Sequence, residues 1–363
     1  MKIIKIYLDP SNKAQTKKYN LISSLFWKEN FSEKFSNGCY EDGNFTLTKK
    51  LEDSDVCVLP LQWNYYLENN LVEYVESFYK KSVLAGKPFI IFSEGDYTAN
   101  IPFPNVYIFQ KSCYRSRDGL KGQKLFSIPP IISDYLSLYC QNEIQFREFS
   151  NNPTVGFCGQ STGNFFDYIR RKSYLQYKRI KFKLGFEKWE PPPIEPSSYR
   201  NRILRKISEN SEIKTNYLMR SKYRAGYRPK TKKDPFHPTR VEFIENILKS
   251  DYTVCMRGGG NYSVRFYETL SLGRIPIFID SDSPLPFEEF TNYKDYFICI
   301  KEDEMNNISE KILSFHRSFS SNEFKDYQKK CYDLWFSHFS QIGYLQNLQK
   351  LIMEVIINEK TNR

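Results

Sequence analysis

Histidine is scarce in this chain of 363 residues. His237, His316 and His338 are scattered singly. That spacing gives little support to a Ser/His/Asp hydrolase or a histidine-based metal site; His237 reads as a surface residue. No two of the eight cysteines form a C-x-x-C pair, which argues against structural zinc. Cys57, Cys158, Cys255 and Cys299 sit in apolar, strand-like runs, as buried thiols of a reduced compartment would. No apolar window approaches the length that crosses a bilayer, and the N-terminal run in MKIIKIYLDPSNK is too short for a signal peptide. The expectation is a cytoplasmic protein, with peripheral contact at the inner face of a membrane as an added option. Repeats and low-complexity tracts are also missing.

What is present points to a globular protein. Charged residues make up 26% and aromatics 17%, and the length suffices for two domains with real cores. The net charge of +11 is concentrated. Pro196 to Arg240 holds 13 Lys or Arg against 3 Asp or Glu, a local net of +10. This segment is either a solvated helix pair or a landing site for an anionic partner.

Strand and helix patterns alternate along the chain. Strands are expected at Ile3 to Leu8, Asp55 to Leu61, Pro88 to Ser93, Val106 to Phe109 and Leu125 to Ile128. A helix is expected over Leu67 to Leu84, ended by Gly86. After a polar stretch, Gln141 to Asn152, a second series begins at Thr154 to Cys158. Helices follow near Phe165 to Lys178 and Thr239 to Leu248. Phe297 to Ile300 reads as a strand, and Glu304 to Phe315 and Glu323 to Glu359 as helical, the last broken near Gly343. This order implies two α/β domains with mostly parallel sheets. The boundaries are drawn at 1–150, 151–335 and 336–363, the last a C-terminal helix returning to the first domain.

The richest stretch is Tyr252 to Pro286. An apolar run, Tyr252 to Met256, enters the triplet Gly258, Gly259 and Gly260. A helical segment, Tyr262 to Leu272, follows, then a second apolar run, Ile275 to Ile279. Glycines before a helix N-terminus suit an anion. No Lys follows the glycines, so this is no P-loop, and Ser263 stands where G-x-G-x-x-G needs its last glycine. Arg257, Ser263 and Arg265 would suit a diphosphate. Glu268, three residues after Arg265, would accept from ribose hydroxyls. The plainer alternative is an i,i+3 ion pair between Arg265 and Glu268.

Arg257 to Pro286 resembles the donor-site signature of exostosin-like glycosyltransferases. The Ser-x-Arg-x-x-Glu core is present as Ser263, Arg265 and Glu268. Gly273, Ile275 and Pro276 match its Gly-x-Ile-Pro turn, and Leu285, Pro286 and Phe287 its end. Looser matches are Asp55 to Trp63 and Pro153 to Gly159. The resemblance implies a GT-B fold, with two Rossmann-like domains facing a cleft. It also implies inverting transfer from a nucleotide diphosphate sugar, UDP-sugar foremost, to a glycan or lipid-linked saccharide in surface polysaccharide synthesis, without bound metal or other cofactor. The donor pocket would comprise Gly159, Arg257, Gly258, Gly259, Gly260, Asn261, Tyr262, Ser263, Arg265 and Glu268. Arg265 would also stabilise the leaving group. Inversion needs a base; Glu94 and Asp96 are the candidates, with Tyr97 where the family often has His.

Two other readings compete. Asp280 and Asp282 follow an apolar strand and look like a metal-binding Asp-x-Asp pair for a metal-dependent transferase. A non-catalytic protein could instead bind glycan or nucleic acid through Pro196 to Arg240, where Tyr199, Tyr217, Tyr223 and Tyr227 are interleaved. The set Ser263, Arg265 and Glu268 is not needed for that role, and nucleic acid is not the expected partner. An anionic membrane is the partner expected for 196–240.

Overall fold

The computed structural model describes residues 2–9, 19, 22–23, 44–161, 164–227 and 234–358. The chain divides into two compact units. Unit 1 holds Met1–Pro129, Ser283–Phe290 and Gln341–Arg363; unit 2 holds Pro130–Asp282 and Thr291–Ser340. The boundaries expected from sequence lie at 150 and 335.

Unit 1 is built on a six-stranded parallel sheet. Its strands are β1 (Ile4–Tyr7), β2 (Phe45–Leu47), β3 (Val56–Val58), β4 (Phe89–Ser93), β5 (Tyr107–Gln110) and β6 (Lys124–Ser127), in the order β2-β1-β3-β4-β5-β6. β3 and β4 are buried on both faces. A parallel sheet covered by helices requires such continuous apolar runs. The single helix expected over Leu67 to Leu84 is two, α1 (Trp63–Glu68) and α2 (Val72–Leu84). The break falls at Asn70, whose φ of 56° is left-handed. Gly86, at φ 65°, lies just beyond α2, the position where a left-handed residue closes a helix. In the same unit, Gln349 of the helix Gln341–Leu351 donates to the carbonyls of Lys2 and Asn44 at 3.1 and 3.2 Å, tying that helix to the start of the sheet.

Unit 2 carries a five-stranded parallel sheet: β7 (Thr154–Gln160), β8 (Lys214–Arg220), β9 (Tyr252–Cys255), β10 (Ile275–Asp280) and β11 (Ile298–Lys301), in the order β8-β7-β9-β10-β11. Its helices include α3 (Tyr135–Tyr139), α4 (Phe165–Lys183), α5 (Pro196–Ser208), α6 (Pro238–Leu248), α7 (Val264–Leu270), α8 (Ile308–Arg317) and α9 (Ser321–Leu334). Both units are therefore Rossmann-like, the pair of units that the GT-B class requires.

Local differences from the expected elements have simple causes. α3 spans only five residues, too few to show a helical period; Asp134 caps it by accepting from the amides of Leu136 and Ser137. α4 runs five residues beyond the expected end. The long C-terminal helix breaks at Ser340, which leaves helical geometry at ψ 162°, rather than at Gly343; Glu359, its expected end, lies outside the described residues. Cys299 is exposed, because β11 alternates buried and exposed positions. Cys57, Cys158 and Cys255 are buried, as expected.

Candidate functional site

Strand order positions the site. In unit 2 the chain leaves β7 toward β8 on one side, and the neighbour on the other side is β9. Such a switch in direction opens a crevice at the carboxyl ends of the two strands, where ligands of open α/β sheets bind. The glycine loop emerges from β9 at that point. Its turn closes where the amide of Gly258 donates to the carbonyl of Tyr262 at 3.3 Å.

Arg265, in the first turn of α7, bridges the two strands at the crevice. One terminal nitrogen donates to the carbonyl of Cys158 on β7 at 2.8 Å, the other to that of Val254 on β9 at 3.3 Å. The guanidinium lies 4.2 Å from the centroid of the Phe157 ring, a cation–π contact. Gly159 permits this. A Cβ there would sit 2.7 Å from the Arg265 terminal nitrogen, closer than packed atoms tolerate.

Arg200, on α5, was not foreseen. It donates to the carbonyls of Gln160 at 3.1 Å and Arg257 at 3.0 Å. Arg257 is itself buried. The terminal nitrogen of Arg200 stands 3.5 Å from where a side chain on Gly258 would begin. None of Gly258, Gly259 and Gly260 has a positive φ. At Gly258 the missing side chain thus leaves room beside a guanidinium, rather than relieving backbone strain.

Among the described residues no carboxylate hydrogen-bonds to these cations, although the charges of Glu195 and Glu268 lie near Arg200 and Arg265 respectively. Arg200 and Arg265 hydrogen-bond only to backbone carbonyls. The Nε atoms of both are buried and unpartnered, as is the hydroxyl of Ser161, just beyond β7. Desolvation pushes the Arg200 guanidinium down to about 10, and the nearby Arg265 cation adds to the shift. Arg265 is also pushed down by burial. Both remain charged at neutral pH. The Nε of Arg274, in the core of unit 2, is buried and unpartnered in the same way, so what sets Arg200 and Arg265 apart is their place at the crevice.

The remaining residues take varied places. Ser263 is the N-cap of α7, yet its hydroxyl makes no capping bond. The Asn261 side chain accepts from the Ser281 hydroxyl at 2.7 Å, pinning the loop to the end of β10. Tyr262 is half-buried. Glu268 does not pair with Arg265. Its Oε1 accepts from Arg240 at 2.9 Å and from the Tyr135 hydroxyl at 3.1 Å, while its Oε2 makes no hydrogen bond among the described residues. Tyr139 nearby is pushed up to about 12, first by burial and then by the Glu268 charge. Asp280 ends β10, and Asp282 takes a left-handed φ of 63°.

Glu94 and Asp96 belong to unit 1, just past β4. Glu94 pairs with Lys111 at 3.0 Å, and its amide donates to Asn64 at 3.0 Å. Asp96 is exposed.

The basic segment 196–240 is not a uniform charged surface. Arg200 turns into the crevice, Arg220 pairs with Glu242, and Arg240 with Glu268. Residues 228–233 lie outside the described ones. His237 serves the fold, since its ring accepts from the amide of Thr239 at 3.3 Å and caps α6. Among the described residues, no helix is long and apolar enough to cross a membrane.

Residues 183–314 match the family model of the Exostosin GT47 domain, a family of glycosyltransferases. That span contains Arg200, the glycine loop, Arg265 and Glu268. No curated protein sequence matches the chain. Among solved structures, the chain is similar to a glycosyltransferase from Rickettsia africae ESF-5, with 11% identity, 85% of this chain and 77% of that one covered, and a TM-score of 0.35. It is also similar to TarM (10%, 72% and 54%, 0.34). A third is the catalytic domain of starch synthase IV from Arabidopsis thaliana, bound to ADP and acarbose (12%, 85% and 56%, 0.31). The chain thus spans little more than half the length of the last two. Similarity this low carries no residue-level correspondence.

Proposed function

We propose a donor site for a nucleotide diphosphate sugar in the crevice between β7 and β9, within a chain whose residues 183–314 match the Exostosin GT47 domain model. The observation that carries this reading is the pair Arg200 and Arg265, desolvated and bonded only to carbonyls, beside a loop whose glycine leaves room at the guanidinium. A diphosphate would bring negative charge beside the two desolvated guanidiniums. Ser263 would add its hydroxyl, and Oε2 of Glu268 would accept from a ribose hydroxyl. Arg240 and Tyr135 then act as positioning residues that hold the carboxylate in place.

The chemistry follows from charge. As the bond from the anomeric carbon to the diphosphate oxygen breaks, negative charge grows on the leaving group. Fixed guanidiniums in a dry crevice stabilise it more than water does. The proposed reaction inverts the anomeric centre and needs no bound metal. UDP-sugar is the proposed donor, and a glycan or lipid-linked saccharide of surface polysaccharide synthesis the acceptor. Glu94 and Asp96 stay as proposed bases.

A thermal-shift series with UDP, GDP, CMP and dTDP, with and without EDTA, tests the site. One nucleotide should raise the melting temperature, since it binds the folded state, and EDTA should not reduce the shift. Arg265→Ala should remove it. An undiminished shift in that variant sinks the assignment, and a shift that vanishes with EDTA favours the Asp280 and Asp282 reading.

A further inference from the structure

The 19 residues of α4 contain no buried side chain, although apolar residues recur along the helix. On a wheel of 100° per residue, Phe166, Ile169, Ser173, Tyr177 and Ile180 fall within one narrow stripe, and Leu184, the C-cap, extends it. Phe166 is 82% exposed, Leu184 65%, Ile180 57%, Tyr177 56% and Ile169 45%. The stripe faces away from the rest of unit 2. The opposite side of the helix, with Tyr168, Leu175 and Arg179, lines a groove of about 650 Å³ whose other wall includes Ser198 and Arg202 of α5. An apolar stripe of about 28 Å on a protein surface needs a cover.

Charge selects the cover. Residues 164–188 hold eight Lys or Arg against two Asp or Glu, a net of +6. Arg170 and Lys181 flank the stripe on one side and Lys183 on the other. The two acids are spoken for locally: Asp167 pairs with Arg170, and Glu187 with Lys178 and Lys181. A second copy docking by the same face would set these cations against each other. Nucleic acid would use the cations but has no use for Ile169, Ile180 and Leu184. Apolar side chains bordered by Lys and Arg match the boundary of an anionic bilayer, where the stripe enters the acyl layer and the cations meet headgroups.

We propose that α4 is an interfacial helix that docks this protein on anionic lipid membranes. The contact is placed on α4 rather than on α5, the helix of the basic segment 196–240. In α5 the apolar stripe of that segment, Tyr199, Ile203, Leu204 and Ile207, is buried in unit 2.

Flotation of the full chain with vesicles tests this. The protein should float with vesicles of phosphatidylcholine mixed with phosphatidylglycerol, and not with phosphatidylcholine alone. Phe166→Ser with Ile180→Ser should weaken binding at least about tenfold through lost apolar insertion, and separately Arg170→Glu with Lys181→Glu at least about 25-fold, taking about fivefold per lost cation. A Phe166→Trp variant should show a blue-shifted emission on the mixed vesicles and quenching by brominated acyl chains, which reports insertion without removing the stripe. The proposal is overturned by no flotation with mixed vesicles, by an unshifted Phe166→Trp emission, or by a dimer in solution that the Ser pair converts to monomer. Binding to RNA that charge reversal abolishes and the Ser pair leaves intact, with no vesicle binding, overturns it in favour of nucleic acid.

Discussion

Helices α4 and α5 follow one another in unit 2, both are basic, and both carry an apolar stripe at helical spacing. α5 buries Tyr199, Ile203, Leu204 and Ile207, and turns Arg200 into the crevice. α4 buries nothing and shows its stripe to solvent. The period of a pattern says that a face wants cover; it does not say whether the cover is the protein's own core. The same split applies to the cations. Arg200 is desolvated by the fold around it, whereas Arg170 stays at the surface in a local ion pair.

Four substitutions press on this contrast. The largest effect is expected from Ile207→Ala in α5, which should cost unit 2 about 2–5 kcal/mol through lost burial and a cavity. The unfolding transition in urea measures it. Arg265→Ala should follow, lowering kcat/KM by about a hundredfold, or about 3 kcal/mol, with nucleotide affinity falling as well. Arg200→Met should weaken nucleotide binding about tenfold, read by titration calorimetry. The same change should leave the ligand-free protein as stable or stabilise it, because a desolvated cation is exchanged for an apolar side chain. A large loss of stability in Arg200→Met would mean that its two carbonyl bonds hold the fold rather than await a ligand. The smallest effect is expected from Ile180→Ala in α4: within about 0.5 kcal/mol of the parent by urea unfolding, as for an exposed position. A loss near that of Ile207→Ala would end the contrast between the helices.

Much of the candidate site was legible because it is local. Ser263, Arg265 and Glu268 follow one strand and one loop, so their spacing alone brings them to one helix end. Arg200 was not legible, since it reaches Arg257 from 57 residues upstream. Only the order β8-β7-β9 and the packing of α5 bring it there. Glu268 shows the limit within the motif itself. Spacing allowed an ion pair with Arg265, but tertiary packing supplied Arg240 and Tyr135, which hold one oxygen and leave the other.

The amino-acid sequence by itself determined two alternating α/β series, the buried strands and the glycine loop, because each depends on the period and chemistry of neighbouring residues. Tertiary structure alone decided which cations are desolvated and which amphipathic helix keeps its apolar face in water. Both depend on what packs against a side chain, and those neighbours come from distant parts of the chain.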